Sequence, residues 1–114
     1  MKFDSTKWAF IEAMKFNERG YKGAGDWLVN ESGLSQRDMN ELEKFFRNKK
    51  SELYDKLFGV EGVGDDGFDD LLSQIVANGE DFYNNITIER AQKMIDNDEF
   101  TESFAYAFHH IPVN

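Results

Sequence analysis

Cysteine is absent from this chain, so a disulfide framework, a thiolate metal site and a cysteine nucleophile are all excluded. Proline occurs once, at Pro112, where it stops regular structure. Long apolar runs are missing too. Nothing approaches the roughly 20 consecutive apolar residues that a membrane span requires. Met1-Lys2-Phe3-Asp4-Ser5-Thr6-Lys7 is not followed by the apolar stretch of a secretory signal. A soluble cytoplasmic protein is expected, with no membrane partner, and the Asn-x-Ser/Thr matches at Asn30 and Asn85 are then coincidental. Positive charge is scarce in one half only. Residues 1–56 carry eleven Lys/Arg against ten Asp/Glu, a net of +1, while residues 57–114 carry two against twelve, a net of −10. No segment alternates apolar and polar residues long enough to argue for a strand, and no internal repeat is visible.

What is present suffices for a folded domain. Hydrophobic residues make up 40% of the 114 and aromatics 15%, more than a disordered chain carries. A chain of this length buries roughly two thirds of its unfolded surface in one core. Its eleven phenylalanines each stabilise by about 1.5–3 kcal/mol when fully buried. The best-defined element is Gly64-Asp65-Asp66-Gly67-Phe68 through Asn78-Gly79. There Phe68, Leu71, Leu72, Ile75 and Val76 follow the i, i+3, i+4, i+7, i+8 spacing of one helix face. Asp65 or Asp66 is expected to cap its first turn, and Asn78-Gly79 to stop it. The predicted fold is all-α: a single compact domain over 1–114, with five to seven helices around a central helix at about 66–78.

Other helices read off in order. Asp4 or Ser5 is expected to cap a first helix with Trp8, Ile11 and Met14 on its buried stripe. Arg19 to Gly25 is too rich in glycine to stay helical and reads as a connection before a short helix at 26–30. Ser35-Gln36-Arg37-Asp38 opens a long helix as a capping-box variant, with Met39, Leu42, Phe45, Phe46, Leu53 and Leu57 on one face. Lys49 and Lys50 interrupt that face, with stems over the core and ammonium groups in water. A turn at Glu80 to Tyr83 and a helix over about 88–96, with Ile88, Ala91, Met94 and Ile95, come next. Asp96-Asn97-Asp98 ends that helix and caps a last one carrying Phe100, Phe104, Phe108 and Ile111.

The motifs for chemistry are thin. An EF-hand register with Gly67 sixth would put Gly62, Gly64 and Ser73 where carboxylates are needed, so that calcium site is absent. His109 and His110 are adjacent and point about 100° apart on a helix, which prevents chelation of one ion. The glycines at 20–25 lack the phosphate-binding GxxxxGK[ST] pattern. The basic cluster at Lys44 to Lys56 is cancelled by Glu41, Glu43, Glu52 and Asp55, too balanced for a phosphate backbone. No nucleophile elbow occurs. The expectation is a non-enzyme with no cofactor, no metal and no direct nucleic-acid binding.

Leu53-Tyr54, then Asp65-Asp66-Gly67-Phe68, then Ile75-Val76-Ala77-Asn78-Gly79-Glu80-Asp81-Phe82-Tyr83 resemble a bacterial family of unknown function. Its members carry a Ser-Asp-Asp-Gly-Phe signature, an apolar helix ending in glycine, and an aromatic residue shortly beyond. Some are fused to nucleic-acid-associated WGR domains. Trp8, Ile11 and Leu34-Ser35 are similar as well, so the resemblance runs over roughly residues 5–96. Gly64 replaces the signature serine, and the Trp- and Ala-containing segment before it is missing or shortened. The resemblance implies an all-α fold, and no catalytic residue is carried over from it.

The expectation for function is a small acidic protein-interaction module, an inhibitor or immunity-type protein of the bacterial immunity or phage anti-defence class. It would occupy a basic, nucleic-acid-handling surface of a partner protein. The predicted contact residues are Asp65, Asp66, Asp69, Asp70, Glu80 and Asp81, with Tyr83 or Tyr106 as aromatic anchor. Two alternatives stay open. One is a self-associating assembly protein using Phe58, Phe100 or Phe108; the other is a small-ligand or enzyme domain with a pocket near Trp8, Tyr21 and Trp27.

Overall fold

A computed structural model describes residues 6–101 and 103–112. They form α1 (Lys7–Ala13), α2 (Phe16–Asn30), α3 (Gln36–Lys56), α4 (Asp65–Ala77), α5 (Glu80–Asn85), α6 (Ile88–Asp96) and a 3-10 helix (Phe104–His110). No strand occurs among the described residues, and the architecture is all-α. The radius of gyration is 13.9 Å against the roughly 13 Å expected of one packed domain of this length. No helix among the described residues is long and apolar enough to cross a membrane.

The central helix forms where the apolar spacing places it, and Leu71 to Val76 are all buried. α1, α3, α5, α6 and the 3-10 helix all touch it. Its cap differs from expectation. Gly64, in extended conformation, is the N-cap, so Asp65 and Asp66 already belong to the first turn. There they cannot accept a capping bond in the usual way, but their charge still complements the helix dipole. The expected stop is present as Gly79 at φ 104°, a conformation that side chains rarely adopt.

Ser35 caps α3 through a 3.1 Å bond from the Asp38 amide to its hydroxyl. The α6 boundaries fall at 88 and 96, with Ala91 and Met94 buried, but Ile88 is exposed rather than in the core. Asp98 takes a left-handed φ of 55° just past α6. Amides of Asp98 and Glu99 then return to the carbonyls of Ile95 and Met94, the paired bonds that close a helix end.

Two segments depart further from the sequence reading. Arg19 to Gly25 is mostly helix: α2 breaks only at Gly20 (φ 70°, ψ 178°) and resumes through Gly23 and Gly25. Burial of Ala24 and Leu28 offsets the roughly 1 kcal/mol that each helical glycine costs. The last helix starts at Phe104, not near Phe100, and Ser103 caps it instead of Asp96-Asn97-Asp98. It winds in threes, which aligns Phe104, Ala107 and His110. Phe104, Ala107, Phe108 and Ile111 are buried, with Phe46 packing on both Phe104 and Phe108. The proposed cap of α1 at Asp4 or Ser5 lies outside the described residues.

The reason for Gly25 is steric. A Cβ there would sit 2.6 Å from His110 Cγ and 2.7 Å from the Ala107 carbonyl oxygen. The His110 imidazole also meets the Asp26 carboxylate at 3.2 Å across the same contact. A Gly25→Ala substitution must therefore push the 3-10 helix off α2. Its expected cost is about 1–3 kcal/mol in denaturant unfolding, despite alanine's better helix propensity; a stabilised variant would refute this packing account.

Candidate functional site

The acidic residues of α4 and α5 do not meet in one patch. Asp65, Asp66, Asp69 and Asp70 lie on the first half of α4, because its second half is enclosed by the core. Glu80 and Asp81 open α5, beyond the other end of a 13-residue helix, about 20 Å away at 1.5 Å per residue. There Glu12 of α1 joins them by accepting the Glu80 amide at 3.1 Å.

Within the first group the carboxylates have different surroundings. Lys50 Nζ lies 2.6 Å from an oxygen of Asp69. Its side chain is only 15% exposed and crosses the Phe46 ring at 5.2 Å. Asp70 is half-buried and already engaged within the fold. Asp65 and Asp66 are exposed, and neither pairs with a cation among the described residues. They are the unneutralised charge on this face.

Tyr83 is built into the fold rather than presented to solvent. Its hydroxyl donates to Glu52 Oε2 at 2.8 Å, and Lys49 reaches the same oxygen at 3.2 Å. The Tyr83 ring packs on Trp8 at 5.2 Å, and Trp8 meets Phe45 edge-on at 5.2 Å. Lys49 Nζ is 5.4 Å from both the Phe45 and the Tyr83 ring, a cation between two π-faces. The Lys49 and Lys50 ammonium groups are thus paired rather than simply wet. This network ties α1, α3 and α5 together. Burial pushes the Tyr83 phenol above its usual range, and the Glu52 carboxylate beside it acts in the same direction. The Tyr83 hydroxyl, ahead of Lys49, holds Glu52 below the usual carboxylate value.

A second surface feature carries no chemical motif. Leu53 and the C-cap Leu57 are buried where α3 ends, while Tyr54, about 100° round the helix from Leu53, and Phe58, just past the helix, face outward. Phe58 is 70% exposed and Tyr54 49%. Tyr54 closes on Phe68 of α4 at 5.3 Å, forming a groove of about 130 Å³ with Val60, Val63, Gly64 and Asp65. Gly67 admits Val63 to this wall, since a Cβ there would lie 2.5 Å from a Val63 methyl. The chain signal for the groove was the Tyr54/Phe58 pair at i, i+4 off the core stripe.

The remaining candidates are separate. Of Phe58, Phe100 and Phe108, only Phe58 is exposed; Phe108 is buried and Phe100 half-buried. Trp8, Tyr21 and Trp27 each meet a different neighbour: Trp8 the Phe45–Tyr83 pair, Tyr21 the Tyr106 ring, Trp27 the Arg19 guanidinium. A cleft of about 480 Å³ between the start of α3 and the 3-10 helix is open, bordered by Glu43 and His109. No group of three His, Asp or Glu side chains could hold a metal among the described residues.

The Tyr83–Glu52 bond has a pH window. Tyr83 binds its proton more tightly when folded, so its contribution is complete below about pH 10 and is lost as pH rises beyond that. Glu52 releases its proton more readily when folded, so its contribution is present above about pH 4.5 and is lost on acidification. Tyr83→Phe is expected to destabilise by about 1 kcal/mol, measured by denaturant unfolding. The gap from wild type should be widest between those limits and shrink at both ends; a gap constant with pH would exclude the bond as its cause.

No family model, curated protein or solved structure matches this chain, so its own geometry carries the reading of function.

Proposed function

We propose that this chain is a small acidic protein-interaction module, an inhibitor or immunity-type protein that occupies a basic surface of a partner. The observation carrying it is the pair Asp65 and Asp66, exposed and without a cation partner among the described residues, in a half-chain of net charge −10. Such a surface attracts a basic protein and repels phosphate backbones, setting association rate and partner choice more than fold. The partner would be a nucleic-acid-handling or toxin-like protein of the same cytoplasm. Kinship with the family that carries the Ser-Asp-Asp-Gly-Phe signature belongs to this proposal and adds no activity to it.

Exposure and the lack of a cation partner among the described residues favour Asp65 and Asp66 as the centre of the contact. Asp69 is offset by its pair with Lys50, and Glu80 and Asp81 would form a separate contact at the far end of α4. Exposure of Phe58 favours self-association as the alternative reading, which solution mass at rising concentration decides.

The test is capture of basic proteins from bacterial lysate at low and moderate salt, by wild type and by the Asp65→Asn/Asp66→Asn variant. Loss of two exposed ion pairs weakens binding about three- to tenfold. Loss of their dipole interaction costs about 1 kcal/mol of stability, leaving the fold in place. Equal capture by the two proteins at low salt would sink the proposal.

A further inference from the structure

Three of the four large apolar side chains exposed among the described residues gather at one edge, where α3 runs into the connector before α4. They are Tyr54, Phe58 and Ile88, at 49%, 70% and 44% exposure. Tyr54 and Phe58 stand one turn apart with ring centroids at 6.0 Å, and Ile88 reaches alongside Gly59. The groove that Tyr54 and Phe58 share with Phe68, Val60 and Val63 measures about 130 Å³. That is less than the roughly 300 Å³ at which small-molecule pockets begin. It has room for a single side chain.

The rim supplies the rest of the argument. Asp65 lines the groove and Asp66 follows it, both unpaired among the described residues. Of the nearby cations, Lys50 is already taken by Asp69, and Arg47 borders the adjoining hollow with Lys50 and Tyr54 rather than the groove itself. Lys56 falls about 200° round α3 from Tyr54. Exposed aromatic rings and an anionic rim thus adjoin, with no cation among the described residues that line the groove.

We propose that this groove seats one apolar side chain of a basic partner segment, while the Lys or Arg beside that residue pairs with Asp65 and Asp66. The inference rests on the acidic-module reading and gives the partner its chemistry: an aliphatic or aromatic residue flanked by basic ones. A second copy of this chain fits poorly. It carries the same net charge of −9, and a two-fold contact through the groove would bring both Asp65–Asp66 pairs face to face.

The experiment titrates the isotope-labelled full chain with two peptides, followed by amide chemical shifts. One peptide is lysine-only; the other has the same charge and one central phenylalanine. The phenylalanine peptide is expected to bind about tenfold more tightly, with shifts centred on residues 54–68, and to keep that advantage as salt rises. Phe58→Ala, at a position too exposed to hold the fold together, should reduce it to the level of the lysine-only peptide. Asp65→Asn/Asp66→Asn should weaken both peptides. Equal affinities in wild type, or an advantage that survives Phe58→Ala, would overturn the groove while lysine-only binding still supports the acidic face. Failure of both peptides would overturn both readings. Groove shifts that follow protein concentration alone would assign the edge to a second copy and overturn the basic partner.

Discussion

Six consecutive side chains of α4, Leu71 to Val76, are withdrawn from water, and a helix achieves that only when neighbours cover its whole circumference. Two of the six are polar, so enclosure also demands hydrogen bonds. Ser73 donates to the Asp69 carbonyl and accepts from the buried Ser103 hydroxyl, each at 2.9 Å. Gln74 reaches Asn17 of α2 and Asn78 at 2.7 and 2.9 Å. No buried side-chain nitrogen or oxygen among the described residues lacks a partner. The helix is therefore pinned in rotation as well as buried.

That constraint decides where charge can be displayed. The enclosed half of α4 has no place for an unpaired carboxylate, and its acids crowd into the first two turns. Lys50 offsets one of them, leaving Asp65 and Asp66 beside an aromatic edge that the core does not use. Apolar contact area and unneutralised charge are adjacent because both are excluded from the same core.

The sequence revealed the helices more readily than their neighbours. α4 and α6 announced themselves because their apolar residues recur at helical spacing, and Ser35 because a capping residue acts within its own turn. Gly25 misled because its justification is a carbonyl and an imidazole from the far end of the chain. Ile88 misled because periodicity cannot tell a buried stripe from an exposed apolar edge. The acids of the candidate site were visible as residues, yet their grouping was not. Lys50 pairing with Asp69, Tyr83 turning inward to Glu52, and the distance to Glu80 and Asp81 all follow from how helices cross.

The contact between α2 and the 3-10 helix joins residues 84 positions apart in the chain, as Asp26 and His110 show. Closing a loop of that length costs about 4 kcal/mol of chain entropy, whereas α3 to α6 meet mostly through short connections. The helices around α4 close through shorter loops, whereas the Gly25 clasp carries the larger entropic cost and offsets it by burying Phe104, Ala107, Phe108 and Ile111 in the shared core. Amide hydrogen exchange along the 3-10 helix reads how firmly that clasp is held.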